Sequence, residues 1–136
     1  MSSEVKITGI PSKDIDTYWS AVEPLLKKAT DRGTDYLIVD LYEQIDNGTM
    51  QLWVAFDDKE ILAACTTKII TYPRLRVCGL THIGGKGMRD WLRFEPIVSE
   101  WAKEHGCSHL EGYARPGWLR VLKHWATAWT VIRKEL

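Results

Sequence analysis

The sequence predicts an α+β domain in three layers, a central sheet covered by helices on both faces. Strand-like runs in the middle of the chain are apolar on both sides in places, as doubly covered strands are. Amphipathic stripes at three- and four-residue steps lie before and after them, marking the helices. The 136 residues, 45% hydrophobic and 26% charged, suit one folded domain spanning 1–136. Two domains would each be short of core.

Residues 4–10 (EVKITGI) read as a first strand closed by Pro11, with Ser12 or Asp14 placed to cap a helix. Ile15, Tyr18, Trp19, Val22, Leu25, Leu26 and Ala29 form one apolar stripe to about Thr30, broken by Gly33. Thr34–Ile45 suits a second helix through Leu37, Leu41 and Ile45, although Tyr36-Leu-Ile-Val also reads as a strand. Met50–Phe56 and Ile61–Tyr72 are strands joined by the turn Asp57-Asp58-Lys59-Glu60. After Pro73 and Arg74, Leu75–Ile83 is the next strand.

Gly84-Gly85-Lys86-Gly87 opens a helix marked by Met88, Trp91, Leu92, Val98, Trp101 and Ala102 and ended by Gly106. Pro96 either kinks it or starts a new helix near Glu95. Cys107–Tyr113 reads as a strand, Pro116–Trp125 as a helix and Trp129–Lys134 as a last strand. The order is β-α-α-β-β-β-α-β-α-β.

Composition excludes several classes. The 18 Lys+Arg balance 18 Asp+Glu, so binding nucleic acid mainly by phosphate neutralisation is not expected. Cys65, Cys78 and Cys107 are odd in number and widely spaced, which is neither a disulfide framework nor a zinc site; core packing is expected for all three. His105, His109 and His124 lack metal-ligand spacing, and no metal is predicted. MSSEVKITGIPSKDID has no apolar signal region, and no run approaches the ~18 apolar residues of a membrane span. A cytoplasmic location follows as the expectation. Of the seven Trp, residues 19, 91, 101 and 125 fall on helix faces and 53 and 129 on strands, between sheet and helices.

The element order and the run WAKEHGCSHLEGYARPGWLRVLKHWA (residues 101–126) carry a resemblance. They resemble the GNAT superfamily of N-acetyltransferases, and in particular small GNAT-like proteins encoded by bacteriophages. The resemblance implies a mixed, mostly antiparallel sheet and acetyl-CoA as donor. It implies that the fourth and fifth strands part to bind the pantetheine arm, here at Leu80, Thr81 and Ile83. It also implies that the turn into the next helix meets the pyrophosphate, since a helix N-terminus attracts anions. Here that turn is Gly84, Gly85, Lys86, Gly87, Met88 and Arg89, with Arg93 adding positive charge. The family's turn reads Gln/Arg-x-x-Gly-x-Gly/Ala; this chain has Gly-Gly-Lys-Gly-Met-Arg, without the leading Gln or Arg.

Acetyl transfer needs a base for the amine proton and an acid for the departing thiolate. His82 near the end of the long strand is the first candidate base and Glu111 the second. The family's acid is often a Tyr in a run like Asn-x-x-Ala-x-x-Phe-Tyr. Placing Arg115 on that Asn leaves Leu122 at the Tyr, so Tyr113 is the substitute candidate. Arg115-Pro-Gly-Trp118, with Arg120 and Lys123, forms a basic, aromatic corner suited either to the nucleotide end of coenzyme A or to packing alone. The acidic run Asp31, Asp35, Asp40, Glu43 and Asp46 suits either a cationic amine or a solvated face.

Two readings follow. One is a GNAT-type acyltransferase carrying acetyl from acetyl-CoA to an unidentified amine. The other is a non-catalytic GNAT-like phage protein, a virion or morphogenesis component or a binder of a host protein. Under either, no membrane association is expected, and a homodimer through sheet edges or the last strand stays open.

Overall fold

The computed structural model describes residues 4–85, 90–113, 119–120 and 122–136. Strand β1 (Lys6–Ile10) leads through a 3-10 turn at Ser12–Asp14 into α1 (Ile15–Thr30) and α2 (Ile38–Asp46). Then come β2 (Gln51–Phe56), β3 (Ile61–Thr71), β4 (Arg76–Gly85), α3 (Asp90–Glu104) and β5 (His109–Gly112). The five strands lie in the order β1-β2-β3-β4-β5. The first four pair antiparallel, and β5 runs parallel to β4, so the sheet is mixed and mostly antiparallel. A parallel neighbour needs a crossover, and α3 supplies it.

Period-two alternation sorts the strand residues onto two cores. Leu52, Val54 and Ala64 face Val22, Leu26, Leu41 and Ile45 of α1 and α2. On the opposite face, Trp53, Ala55, Cys65, Cys78 and Leu80 pack with Phe94, Val98 and Ala102 of α3 and with Leu122. The central strands are therefore buried on both sides, as their continuous apolar runs require. Buried Trp53 stands edge-on to Trp101 at 5.5 Å, and its Nε1–H donates to Thr67 Oγ1 at 2.9 Å. That bond satisfies the one polar atom a buried indole carries. All three cysteines are buried, as their apolar surroundings predict.

Local chemistry explains most boundaries. Asp57 Oδ1 accepts from the N–H groups of Lys59 and Glu60, folding the β2–β3 turn. Gly48 and Gly106, past the ends of α2 and α3, have φ of 84° and 80°, the left-handed conformation that stops a helix. Helix α3 runs through Pro96 as one helix. Asp14 stands at the N-cap of α1, but neither it nor Ser12 makes a side-chain cap; the 3-10 turn absorbs the role, with Asp14 N–H bonded to Pro11 O. The second helix starts at Ile38 rather than Thr34, where Asp40 accepts from the Leu37 N–H at 2.8 Å.

The end of the chain departs from expectation. The expected helix Pro116–Trp125 lies partly outside the described residues. Leu119 and Arg120 form a 3-10 turn, and Lys123 and His124 a turn in which His124 has φ 72°. A left-handed histidine cannot continue an α-helix. The expected strand Trp129–Lys134 does not form: the segment has no regular structure. Trp129 is 85% exposed, so it is not the sheet–helix packing residue its alternating neighbours suggest. The segment buries no apolar face, with Val131 69% and Ile132 90% exposed, and its polar contact is that of Arg133 with Asp35, between α1 and α2.

Candidate active site

Strand β4 is paired with β3 along its whole length, through Gly85. Its pairing with β5 covers only Val77–Leu80, because β5 ends at Gly112 opposite Leu80. Thr81–Gly85 therefore present one backbone edge with no strand partner among the described residues. Backbone amides and carbonyls so exposed are obligatory hydrogen-bonding groups awaiting a partner.

Within this stretch the register with β3 shifts by one residue. Thr66 faces His82 and Thr67 faces Leu80, leaving Thr81 as the extra residue of a β-bulge. Thr81 Oγ1 donates to Thr66 O at 3.1 Å and lies 2.7 Å from Thr66 Oγ1. His82 Nδ1 is 3.3 Å from the same Thr66 hydroxyl. The Tyr36 ring, from between α1 and α2, stands edge-on to the imidazole at 4.8 Å and 85°. Burial pushes the His82 pKa below its ordinary 6.5. A neutral imidazole is what a proton acceptor must be.

Glu111 lies in register with Gly79, three residues short of His82 along β4, or roughly 10 Å at ~3.3 Å per residue. The two candidate bases share a face of the sheet but do not meet. Glu111 instead lies near Tyr72, and its charge is the first cause raising the Tyr72 pKa; Tyr113 adds to the rise. Tyr113, the candidate acid, is 68% exposed just beyond β5. Tyr36, Thr66 and Tyr72 were not singled out by sequence. Tyr36 and Tyr72 reach the site through tertiary contacts, and Thr66 through strand register, none of which leaves a local pattern.

On the expected donor side, Leu80, Thr81, Ile83, Gly84 and Gly85 are described, while Lys86, Gly87, Met88 and Arg89 lie outside the described residues, as do Arg115 and Trp118. Gly84 has a structural reason of its own: a Cβ there would sit 1.8 Å from the Leu25 carbonyl oxygen. Helix α1 rests its backbone on β4 at this point. The acidic run is mostly engaged within the fold. Asp31 pairs with Lys27, Asp35 with Arg133, and Asp40 with the Leu37 N–H. Leu122 is buried in the α3-side core, so the position aligned with the family's acid holds a packing residue.

No family model matches the sequence, and no curated protein matches it either. Solved structures do match. An aminoglycoside acetyltransferase, meta-AAC0020, from an uncultured soil metagenomic sample superposes with a TM-score of 0.73 at 12% identity, over 97% of this chain and 95% of its own. Aminoglycoside N-acetyltransferase AAC(6')-Iy, solved with CoA, gives 0.71 at 14% identity over 99% and 97%. A GNAT family acetyltransferase from Staphylococcus aureus gives 0.66 at 11% identity over 99% and 100%. Agreement over nearly every residue, at identities where only architecture is shared, means that this chain has the fold of the GNAT acetyltransferases.

Proposed function

We propose that the protein transfers an acetyl group from acetyl-CoA to an amine. The observation that carries this reading is that, among the described residues, the pairing of β4 with β5 ends at Leu80, two residues before His82. When bound, acetyl-CoA supplies a thioester carbonyl that an amine can attack. The edge of Thr81–Gly85 away from β3, without a strand partner among the described residues, suits an arm built from amides, and a solved structure of the same fold holds CoA. Thr81, Ile83, Gly84 and Gly85 would hold the arm by backbone contacts, with Leu80 at the point where the pairing with β5 ends. Lys86, Gly87, Met88 and Arg89, which precede α3 in sequence, would meet the phosphates with Gly84 and Gly85.

His82, neutral because it is partly buried, takes the proton from the amine nitrogen as the C–N bond forms. Tyr113 would be the acid that gives a proton to the departing thiolate. Glu111 is the second base, serving an amine that enters nearer to Tyr72. Calorimetry with acetyl-CoA, followed by mass spectrometry of an amine panel, tests the reading. Binding in the micromolar range is expected. The His82→Ala variant should keep that binding and lose transfer by about a hundredfold or more. No heat at high micromolar acetyl-CoA overturns the proposal, and a stable protein partner recovered in its place supports the non-catalytic reading.

A further inference from the structure

The segment between α1 and α2 sets Tyr36 on His82; Tyr36 packs partly buried against the core shared by α1, α2 and β2, while the exposed residues before it are held by few polar contacts. The segment's first residues are tied to α1, with Arg32 N–H bonded to Ala29 O and Gly33 N–H to Thr30 O. Its last is tied to α2 through Leu37 and Asp40. Between them, Thr34 only donates to its neighbour Asp35. The distant polar contact is the fork of Arg133, whose NH1 and NH2 donate to Asp35 Oδ1 and Oδ2 at 2.6 and 3.1 Å, across 98 residues of sequence. Asp35 is the residue immediately before Tyr36.

We propose that Arg133 is a positioning residue for the candidate base: by gripping Asp35 it fixes the α1–α2 segment so that Tyr36 stays against His82. This rests on the reading of His82 given above. A bidentate guanidinium–carboxylate pair constrains two planes as well as a distance, which a lysine cannot do. The pair is exposed, 65% and 53% by side chain, so its stabilisation is modest and salt-sensitive. It therefore acts on placement more than on global stability.

The test reads His82 directly. A tyrosine ring edge-on to an imidazole shifts the imidazole carbon-bound proton resonances by its ring current, and Tyr36→Ala gives the shift with the ring gone. Arg133→Ala should move the His82 resonances measurably toward the Tyr36→Ala position, and Arg133→Lys should not restore them. Raising salt to about 1 M should move the wild-type signals in the same direction and leave the Arg133→Ala signals in place. Core resonances around Trp53 and Phe94 report that each variant is folded. Wild-type His82 resonances in folded Arg133→Ala overturn the proposal. The resonances need no donor or acceptor, so failure here is distinct from failure of acetyl-CoA to bind. In the acetylation assay, Arg133→Ala should lower kcat by about tenfold through misplacement, with acetyl-CoA affinity unchanged. An unaltered kcat also counts against it.

Discussion

Replacing Gly84 with alanine is the sharpest perturbation of this architecture. The added methyl would lie 1.8 Å from Leu25 O and 2.6 Å from Leu25 C, against a lower limit of 3.0 Å for real Cβ contacts. At least 1.2 Å of separation must be found, 3.0 less 1.8, and the obstacle is helix backbone rather than a side-chain tip. Moving α1 that far loosens Val22, Leu25 and Leu26, all buried in the core it shares with β2 and β3. Overpacking of a filled core costs typically 1–3 kcal/mol, and the backbone obstacle places this case at about 3 kcal/mol. For a chain of this size that lowers Tm by roughly 10 °C. Gly33→Ala is the control: nothing lies within 4 Å of its added Cβ, and its φ is ordinary. It should be neutral or stabilising by up to ~1 kcal/mol. Urea unfolding followed by tryptophan fluorescence, without ligand, measures both. A Gly84→Ala protein within 0.5 kcal/mol of wild type, where ~0.5 is the ordinary scatter of surface changes, would refute the close approach of α1 to β4.

Other outcomes follow from single groups. Thr67→Val removes the acceptor of the buried Trp53 Nε1–H and the hydroxyl that donates to Gln51 Oε1, costing about 1–3 kcal/mol in the same unfolding assay, whereas Thr8→Val on the exposed β1 should cost far less. His82 has its folded pKa below the unfolded 6.5, so between the two values the unfolded chain binds more protons. Its contribution thus favours folding above pH 6.5 and loses ground as pH falls through 6.5 toward the lowered value, and His82→Phe should flatten that part of the stability–pH curve. If His82 is the base, the acid limb of kcat/KM also lies below 6.5. Burial pushes the Cys78 thiol up to about 11 and Cys65 higher still, so a thiol reagent at pH 8 should label the native protein slowly and all three cysteines after unfolding.

What the sequence disclosed follows the physics of local pattern. The α1 stripe, the β2–β3 turn at Asp57 and the glycine stops at Gly48 and Gly106 are short-range features, and each occurs where its residues indicate. The doubly apolar runs correctly implied helices on both faces. The misreadings came from tertiary context. Trp129–Lys134 has a strand's alternation, but alternation cannot reveal that Trp129, Val131 and Ile132 find no layer to bury them. Nor can a run of apolar and polar residues announce that His124 takes a positive φ. In the site, His82 was legible as the histidine near the end of a long strand. Its contacts with Tyr36 and Thr66 were not, because they depend on how α1 and α2 seat on the sheet and on the register between β3 and β4.

That register links the most constrained glycine to the candidate base. Below the bulge, Cys78 and Leu80 face α3; above it, Ile83 packs toward the α3 side and Gly84 lies under α1. The odd and even positions have exchanged faces, and the exchange happens at Thr81. A one-residue slip in pairing turns every later side chain to the opposite face. Were Thr81 instead paired opposite Thr66 in a regular ladder with no bulge, His82 would point into the apolar α3 layer, and Ile83 would meet the α1 backbone where only glycine fits. The contact at Gly84 therefore selects the bulged register, and the bulged register carries His82 to the face where Tyr36 waits. Deleting Thr81 should then remove the bulge while keeping Leu80 opposite Thr67 and His82 opposite Thr66, so the Tyr36 ring-current shift on His82 should persist. Loss of that shift in a folded deletion variant would mean that the register of β4 is held by something other than Gly84 and α1.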